Sequence, residues 1–310
     1  MHRRLMGLVV FGVVAALFTG CSSSGALHTR SHMLVSTDWL ADHLSDPNVV
    51  VLQAGMTRGS YDAGHVPGAR FVAWSDVAVT RDGLPNEIPP AVDLLALVRR
   101  LGIEETKRIV LYDDAGGLPA ARAYVALDYM GLGRRSALLD GGWQKWKVEG
   151  RPVSTEAPAP AMSSFVPRLR PGLVVTFKDM KDYDYLAAEV GGAPLAILDA
   201  RPFDQYTGED AGEGIKRGGH IPGATSVFWM QTLTSRDRPT LKPVDDLRLI
   251  FQQAGAQPGD TTIAYCRTGG QASFLYFVLR YLGYDARLYD GSFYEWQSAP
   301  DTKVVEGARP

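Results

Sequence analysis

Apolar residues along this chain fall in short runs, and the runs recur. Val49 to Ala54 (VVVLQA) and Leu195 to Ala200 (LAILDA) are apolar stretches with a polar residue near the end, the pattern of strands buried on both faces of a parallel sheet. Ile109 to Gly117 (IVLYDDAGG) and Thr262 to Gly270 (TIAYCRTGG) are β-rich runs that break into glycine-bearing loops. Between them lie segments with helical period, at Ala91 to Leu101, Ala120 to Met130 and Ala272 to Leu282. Strands alternating with helices predict an α/β fold of parallel sheets covered on both faces.

Two further landmarks turn this recurrence into a duplication. Gly64 to Ala69 (GHVPGA) matches Gly219 to Ala224 (GHIPGA), with Trp74 and Trp229 each five residues beyond the final Ala. Leu139 to Trp146 (LDGGWQKW) matches Tyr289 to Trp296 (YDGSFYEW). Four landmarks in the same order predict two homologous domains, at 34–150 and 173–300. The Pro-, Ser- and Ala-rich stretch 151–172 then reads as a semi-extended linker, and 301–310 as a tail. Gly208 to Gly219 makes the second half nine residues longer between its first two landmarks, which predicts a surface loop near the site.

Composition adds limits. The 310 residues are 45% hydrophobic and 21% charged, with a formal net charge of -2. That balance, without a long basic run, argues against a nucleic-acid partner and against holding an anionic membrane by net charge alone. Residues 1–21 begin with His2, Arg3 and Arg4, continue through an apolar run from Leu5 to Phe18, and end LFTGC. The run is shorter than the roughly 20 residues a membrane span needs, so it reads as a signal peptide. Its end resembles a bacterial lipobox, which implies lipidation of Cys21, a tether over 22–33, and export to the cell envelope as a lipoprotein on the extracytoplasmic or periplasmic side. Contact with the membrane is then through the lipid anchor only. Of two cysteines, this leaves Cys266 as the free thiol.

Cys266 stands where a strand ends and a helix begins, the place at which crevices open in parallel α/β sheets. Its loop continues Arg267, Thr268, Gly269, Gly270 and Gln271. Backbone N–H groups of Arg267 to Gln271 and the helix dipole would face the sulfur, and they are expected to lower its pKa from about 8.5 into the range of roughly 3.5 to 7.5. Glycines let the backbone curl around an anion. His220 is the tempting base, yet His65 holds the equivalent place in the half whose loop carries Asp113 instead of Cys. A histidine kept in both contexts is expected to stabilise the turn.

The GHIPGA turn, LDAR (Leu198 to Arg201), the CRTGGQA loop and LDGGWQKW together resemble tandem rhodanese-like domains, from about Leu34 to Ser298. The resemblance implies an inactive first domain, a catalytic second one, and a persulfide cycle on Cys266. Sulfur would come from a donor such as thiosulfate and pass to cyanide or a thiol. No metal or organic cofactor is implied. Arg267 would attract an anionic donor, while Asp199 and Arg201 resemble a pair that orders the pocket or simply supports the loop. Gln205 stands where many members carry a second substrate-contacting Arg.

A basic residue after the cysteine, here Arg267, is the habit of thiosulfate users, and a small uncharged one that of mercaptopyruvate users. Three alternatives stay open at this point. One is a 3-mercaptopyruvate sulfurtransferase, and another a non-enzymatic anchored sulfur-binding module. The third, a rhodanese-like phosphatase or arsenate reductase, would need an Arg six positions after the cysteine, where Ala272 stands.

Overall fold

A computed structural model describes residues 27–190, 195–237 and 239–310; the signal segment and Cys21 lie outside the described residues. In the first half the chain forms β1 (Leu34–Val35), α1 (Thr37–Asp42), β2 (Val49–Gly55), α2 (Gly59–Ala63), β3 (Arg70–Ala73), α3 (Trp74–Val77), the strands β4 (Val79–Arg81) and β5 (Leu84–Glu87), α4 (Ala91–Arg100), β6 (Arg108–Tyr112), α5 (Leu118–Tyr129), β7 (Ser136–Leu139) and α6 (Gly142–Val148). The second half forms β8 (Val174–Val175), α7 (Phe177–Val190), β9 (Leu195–Asp199), α8 (Phe203–Thr207), β10 (Ala224–Ser226), α9 (Val244–Gln253), β11 (Thr261–Tyr265), α10 (Gly270–Leu282), β12 (Asp285–Tyr289) and α11 (Ser292–Ser298).

The two main sheets are wholly parallel and have one topology. Strand order is β1-β7-β6-β2-β3 in the first and β8-β12-β11-β9-β10 in the second, so each strand has a counterpart in the other half. Strands β4 and β5 form a separate antiparallel hairpin.

Along each strand the side chains alternate between two cores, as a period of two demands. In β6, Ile109 and Leu111 enter one core while Val110 and Tyr112 enter another. The first of these cores runs without a break from domain to domain, because α5 of one half packs on α10 of the other. Both helices are buried almost all round, which explains why each is apolar on every face rather than striped. The domains therefore share one apolar interior, with the second and third cores on the outer sides of their sheets.

Three expected boundaries move. Residues 27–33 are packed rather than free: Leu27 touches the shared core, the Arg30 N–H donates to Tyr281 O at 2.7 Å, and Ser31–Met33 form a 3-10 turn leading into β1. The same turn recurs at Pro171–Leu173, ahead of β8. The presumed tail is also part of its domain. His220 pairs with Val305 in an antiparallel bridge, just as His65 pairs with Ser154 at the start of the linker. Trp146 Nε1 donates to Pro152 O at 2.8 Å and Trp296 Nε1 to Lys303 O at 2.7 Å. Backbone pairing, which apolar patterning does not record, puts these segments inside the repeat. Farther along, the linker remains irregular but buries Phe165.

Candidate functional site

Cys266 directly follows β11, in the centre of the second sheet, and its side chain is 2% exposed. Its N–H donates to Ser292 Oγ at 3.2 Å, while its carbonyl accepts from Phe293 N at 2.9 Å and the Arg267 carbonyl from Tyr294 N at 2.9 Å. The start of α11 thus clamps the loop from behind. Gly269 has φ +84° and caps α10. A Cβ there would lie 2.8 Å from Asp290 Oδ1, so both conformation and space require glycine. On Gly270 a Cβ would come 3.3 Å from the ring of Trp74, a residue of the other domain.

The sulfur faces the amides of Thr268, Gln271 and Ala272, each of which favours the thiolate. Burial outweighs them, with the Asp199 carboxylate adding to it, and the thiol is pushed up rather than down. The expected depression is overturned for a physical reason: sequence exposes the amides and the helix end but not the cost of removing a charge from water. The cradle also reaches one residue farther than Gln271, to Ala272 in the first turn of α10.

The first half supplies an internal comparison. Asp113 follows β6 as Cys266 follows β11, and its carboxylate accepts N–H bonds of 2.8 Å from Ala115, Gly117 and Ala120. Burial still raises its pKa, to about 6, against the pull of those amides. The loop geometry therefore gathers donors around an acceptor in both domains, whichever residue occupies the centre.

Asp199 and Arg201 are fully buried beside the loop, since β9 pairs with β11. The Arg201 guanidinium grips Asp199 at 2.6 Å, donates to Gly219 O at 2.7 Å, and lies 4.1 Å from the ring centre of Phe293 on α11. The pair thus ties the GHIPGA turn to the helix that clamps the cysteine loop. Arg267 instead turns outward, with its guanidinium 3.7 Å from the carboxylate of Glu213, in the extra stretch 208–219. Gln205 lies against Gly212 of the same stretch.

His220 stacks on Tyr206 with ring centres 3.8 Å apart, and its Nδ1 bonds Tyr206 O at 2.9 Å. His65 does the same with Tyr61, at 3.8 Å and 2.8 Å. The shared stack and Nδ1 bond, present also in a domain that lacks the cysteine, place His220 in the turn's own scaffold; the two differ at Nε2, which bonds Glu156 O at 3.1 Å in His65 and is buried without a partner in His220.

The residues that sequence reasoning missed come mostly from the other half. Asn86, at the end of β5 with φ +62°, accepts from Trp74 Nε1 at 3.0 Å and donates from Nδ2 to Thr268 Oγ1 at 2.9 Å. Arg122 on α5 reaches across to Asp290 at 2.6 Å, both fully desolvated, and also donates to the carbonyls of Val77 and Asn86. The relation is reciprocal: Asp290 accepts from Ile88 N, and Asp140 from Leu241 N at 2.9 Å. Each domain lends a strap to the other's loop. A lone Arg inside the apolar run AARAYVAL was the available signal for Arg122; nothing local marked Asn86.

Among the described residues no group of three or more His, Cys, Asp or Glu side chains is placed to hold a metal ion. No helix among them is long and apolar enough to cross a membrane.

Comparison with known proteins agrees with this geometry. The rhodanese-like domain matches twice, at residues 36–149 and 182–299. The chain is 32% identical to the sulfur carrier protein TtuD of Thermus thermophilus, covering 90% of this chain and 99% of that protein. It is 33% identical to a thiosulfate sulfurtransferase of Azotobacter vinelandii, covering 86% and 94%. The crystal structure of SseA from Escherichia coli, described as a 3-mercaptopyruvate sulfotransferase, superposes with a TM-score of 0.72 at 28% identity, covering 84% of this chain and 98% of that one. With two matched domains, one parallel topology in each and a single cysteine-bearing loop, the chain belongs to the rhodanese-like family, in its tandem form.

Proposed function

We propose that this protein is a sulfurtransferase that takes the outer sulfur of thiosulfate on Cys266 and hands it to a thiophilic acceptor, cyanide or a thiol. The observation that carries this reading is the sulfur of Cys266 held against the amides of Thr268, Gln271 and Ala272 at the start of a buried helix. In the first step the Cys266 thiolate attacks the outer sulfur of thiosulfate. A sulfur–sulfur bond forms to Cys266, the bond to the sulfonate group breaks, and sulfite leaves with the electron pair. In the second step the acceptor attacks the outer persulfide sulfur and the Cys266 thiolate departs. The amides serve both steps, because each has a sulfur anion at that point.

Arg267, directly after the cysteine and turned outward, supports an anionic donor, and Ala272 in place of a clamping Arg disfavours phosphoryl transfer. The named relatives span thiosulfate transfer, sulfur carriage and mercaptopyruvate chemistry, so donor choice is decided by rates measured in parallel with thiosulfate and mercaptopyruvate. Intact mass after thiosulfate should rise by one sulfur, about 32 Da, and cyanide should remove it. Cys266→Ser should show no such mass. An unmodified wild-type chain would overturn the proposal.

We further propose that Cys21 is lipidated and holds the mature protein on the outer side of a bacterial membrane. Metabolic labelling with palmitate should tag the chain and miss Cys21→Ser.

A further inference from the structure

The edge of the first sheet opposite the cysteine loop is strongly and openly basic. Arg108 begins β6, Arg134 and Arg135 immediately precede β7, and His32 stands two residues before β1. Since all these strands are parallel, their starts share one edge of the domain. Arg134 lines three adjoining depressions, with Arg135 and Arg168 in one, Arg30 and Arg280 in the next, and Arg108 and Trp39 in the third. Arg134, Arg135 and Arg168 are exposed. None of those three, nor Arg108, has a carboxylate within ion-pairing distance among the described residues.

The crowding is felt by His32, whose pKa is lowered by burial and then by Arg108, Arg134 and Arg30. Glu105 is the acid lining the first depression, while Asp128 is buried and already engaged by Arg170. Beside Arg168 the linker exposes Val166 at 62% and Leu169 at 46%. Open cations flanked by open apolar side chains have the composition of a surface that meets lipid headgroups.

We infer that this face docks on an anionic lipid bilayer, a contact beyond the lipid anchor alone that the sequence implied, and sets the orientation of the anchored protein. The inference rests on the lipidation reading for its geometry. Cys21 is six residues before Leu27, so the chain between them spans at most about 20 Å. Leu27 and Thr29 are bound by Arg248, and Arg30 Nη1 donates to Arg280 O, which fixes this segment on the same face. A lipid on Cys21 therefore holds this face within about 20 Å of the membrane. Helix α10 runs from the cysteine loop to this face over 13 residues, about 20 Å. Docking there leaves the Cys266 loop pointing away from the lipid and open to soluble donors. One lipid signal and one basic patch is also the pairing that makes peripheral attachment stable.

The test uses the unlipidated chain from residue 22 onward, which keeps every sheet and core found among the described residues. Flotation is measured with phosphatidylcholine vesicles and with vesicles containing about one third phosphatidylglycerol, at about 0.05 M and 0.3 M salt. Each cation at an anionic surface strengthens partitioning by about fivefold, so binding to the anionic vesicles should be about a hundredfold stronger and should collapse at the higher salt. The double variant Arg134→Glu, Arg135→Glu should lose at least tenfold of it while keeping full sulfur-transfer activity and melting temperature. Equal partitioning into both vesicles, an unaffected double variant, or retention of the chain only by a soluble polyanion such as heparin would each overturn the inference. Absent palmitate label with intact vesicle binding would remove the anchor and leave the face standing; label without vesicle binding would do the reverse.

Discussion

Asn86 donates from Nδ2 to Thr268 Oγ1 at 2.9 Å, so the first domain holds the hydroxyl two residues after Cys266 of the second. Trp74 Nε1 bonds Asn86 Oδ1 and fixes which end of the amide faces Thr268. Asn86 also adopts φ +62°, a conformation asparagine tolerates better than most residues.

Two substitutions separate its roles. Asn86→Ala loses the bond and strains the backbone, so stability should fall by about 1–2 kcal/mol and kcat/KM for sulfur transfer by about tenfold. Asn86→Gly relieves the strain but not the missing bond. Its melting temperature should recover most of the loss while the rate does not. A fully active Asn86→Gly would show that the bond to Thr268 does nothing for the loop.

The thiol's burial gives a second expected outcome. Because Cys266 is pushed up from the ordinary thiol value, first by burial and against the amides of Ala272 and Thr268, its thiolate fraction keeps growing as pH rises through 9. Alkylation of the resting protein by iodoacetamide should climb without levelling between pH 7 and 9. A plateau below pH 8 would mean that the cradle wins over desolvation after all.

Much of this molecule was legible from its sequence because the fold was written twice. The four landmarks located both sheets, the cysteine-bearing loop and its counterpart at Asp113, and they kept His220 in the scaffold through His65. Other features could not be read locally. Asn86 and Arg122 act on residues 182 and 168 positions away, contacts created by packing α5 on α10. The outward turn of Arg267 depends on where the extra stretch 208–219 settles. The direction of the Cys266 shift depends on burial, and a pattern of strands and loops does not state how deeply one sulfur will lie.

The duplicated histidine turns can be tested against each other. His220→Ala and His65→Ala each remove a buried stacked ring and its bond to a carbonyl, and each should cost about 2–4 kcal/mol. The pH–rate profile of folded His220→Ala should keep its shape. If it loses its basic limb, His220 is acting on the thiol.

Glu87 ties acidity to the interface. It is buried at the end of β5, next to Asn86, and burial with the nearby Asp290 charge raises its pKa to about 7, with Arg81 opposing. A carboxyl whose folded value exceeds its unfolded value near 4.5 holds a proton in the folded state that the unfolded chain has released. Stability is therefore lost as pH rises through that window. Glu87→Gln imitates the protonated form, so it should melt like the wild type at pH 5 and higher than it at pH 8. Asp113, raised to about 6, contributes a similar slope that this variant leaves in place. An unchanged difference in melting temperature between pH 5 and pH 8 would exclude Glu87 as a source.

Glu213 stands to Arg267 as a competitor for whatever anion the arginine is there to meet. The two lie 3.7 Å apart, with Glu213 90% exposed and Arg267 35%, so their attraction is weak, screened by salt and easily displaced. A doubly charged donor such as thiosulfate must nonetheless approach past that carboxylate. Removing it should help the donor, and helping it at binding rather than at bond breaking should appear in KM. Glu213→Gln should lower KM for thiosulfate about two- to fourfold at low salt, leave kcat unchanged, and lose its advantage at high salt. Arg267→Ala should raise the same KM and abolish the effect of Glu213→Gln in the double variant, because the carboxylate would have no partner left to mask. If Glu213→Gln still improves thiosulfate use without Arg267, the carboxylate is repelling the donor directly and the arginine is not its receptor.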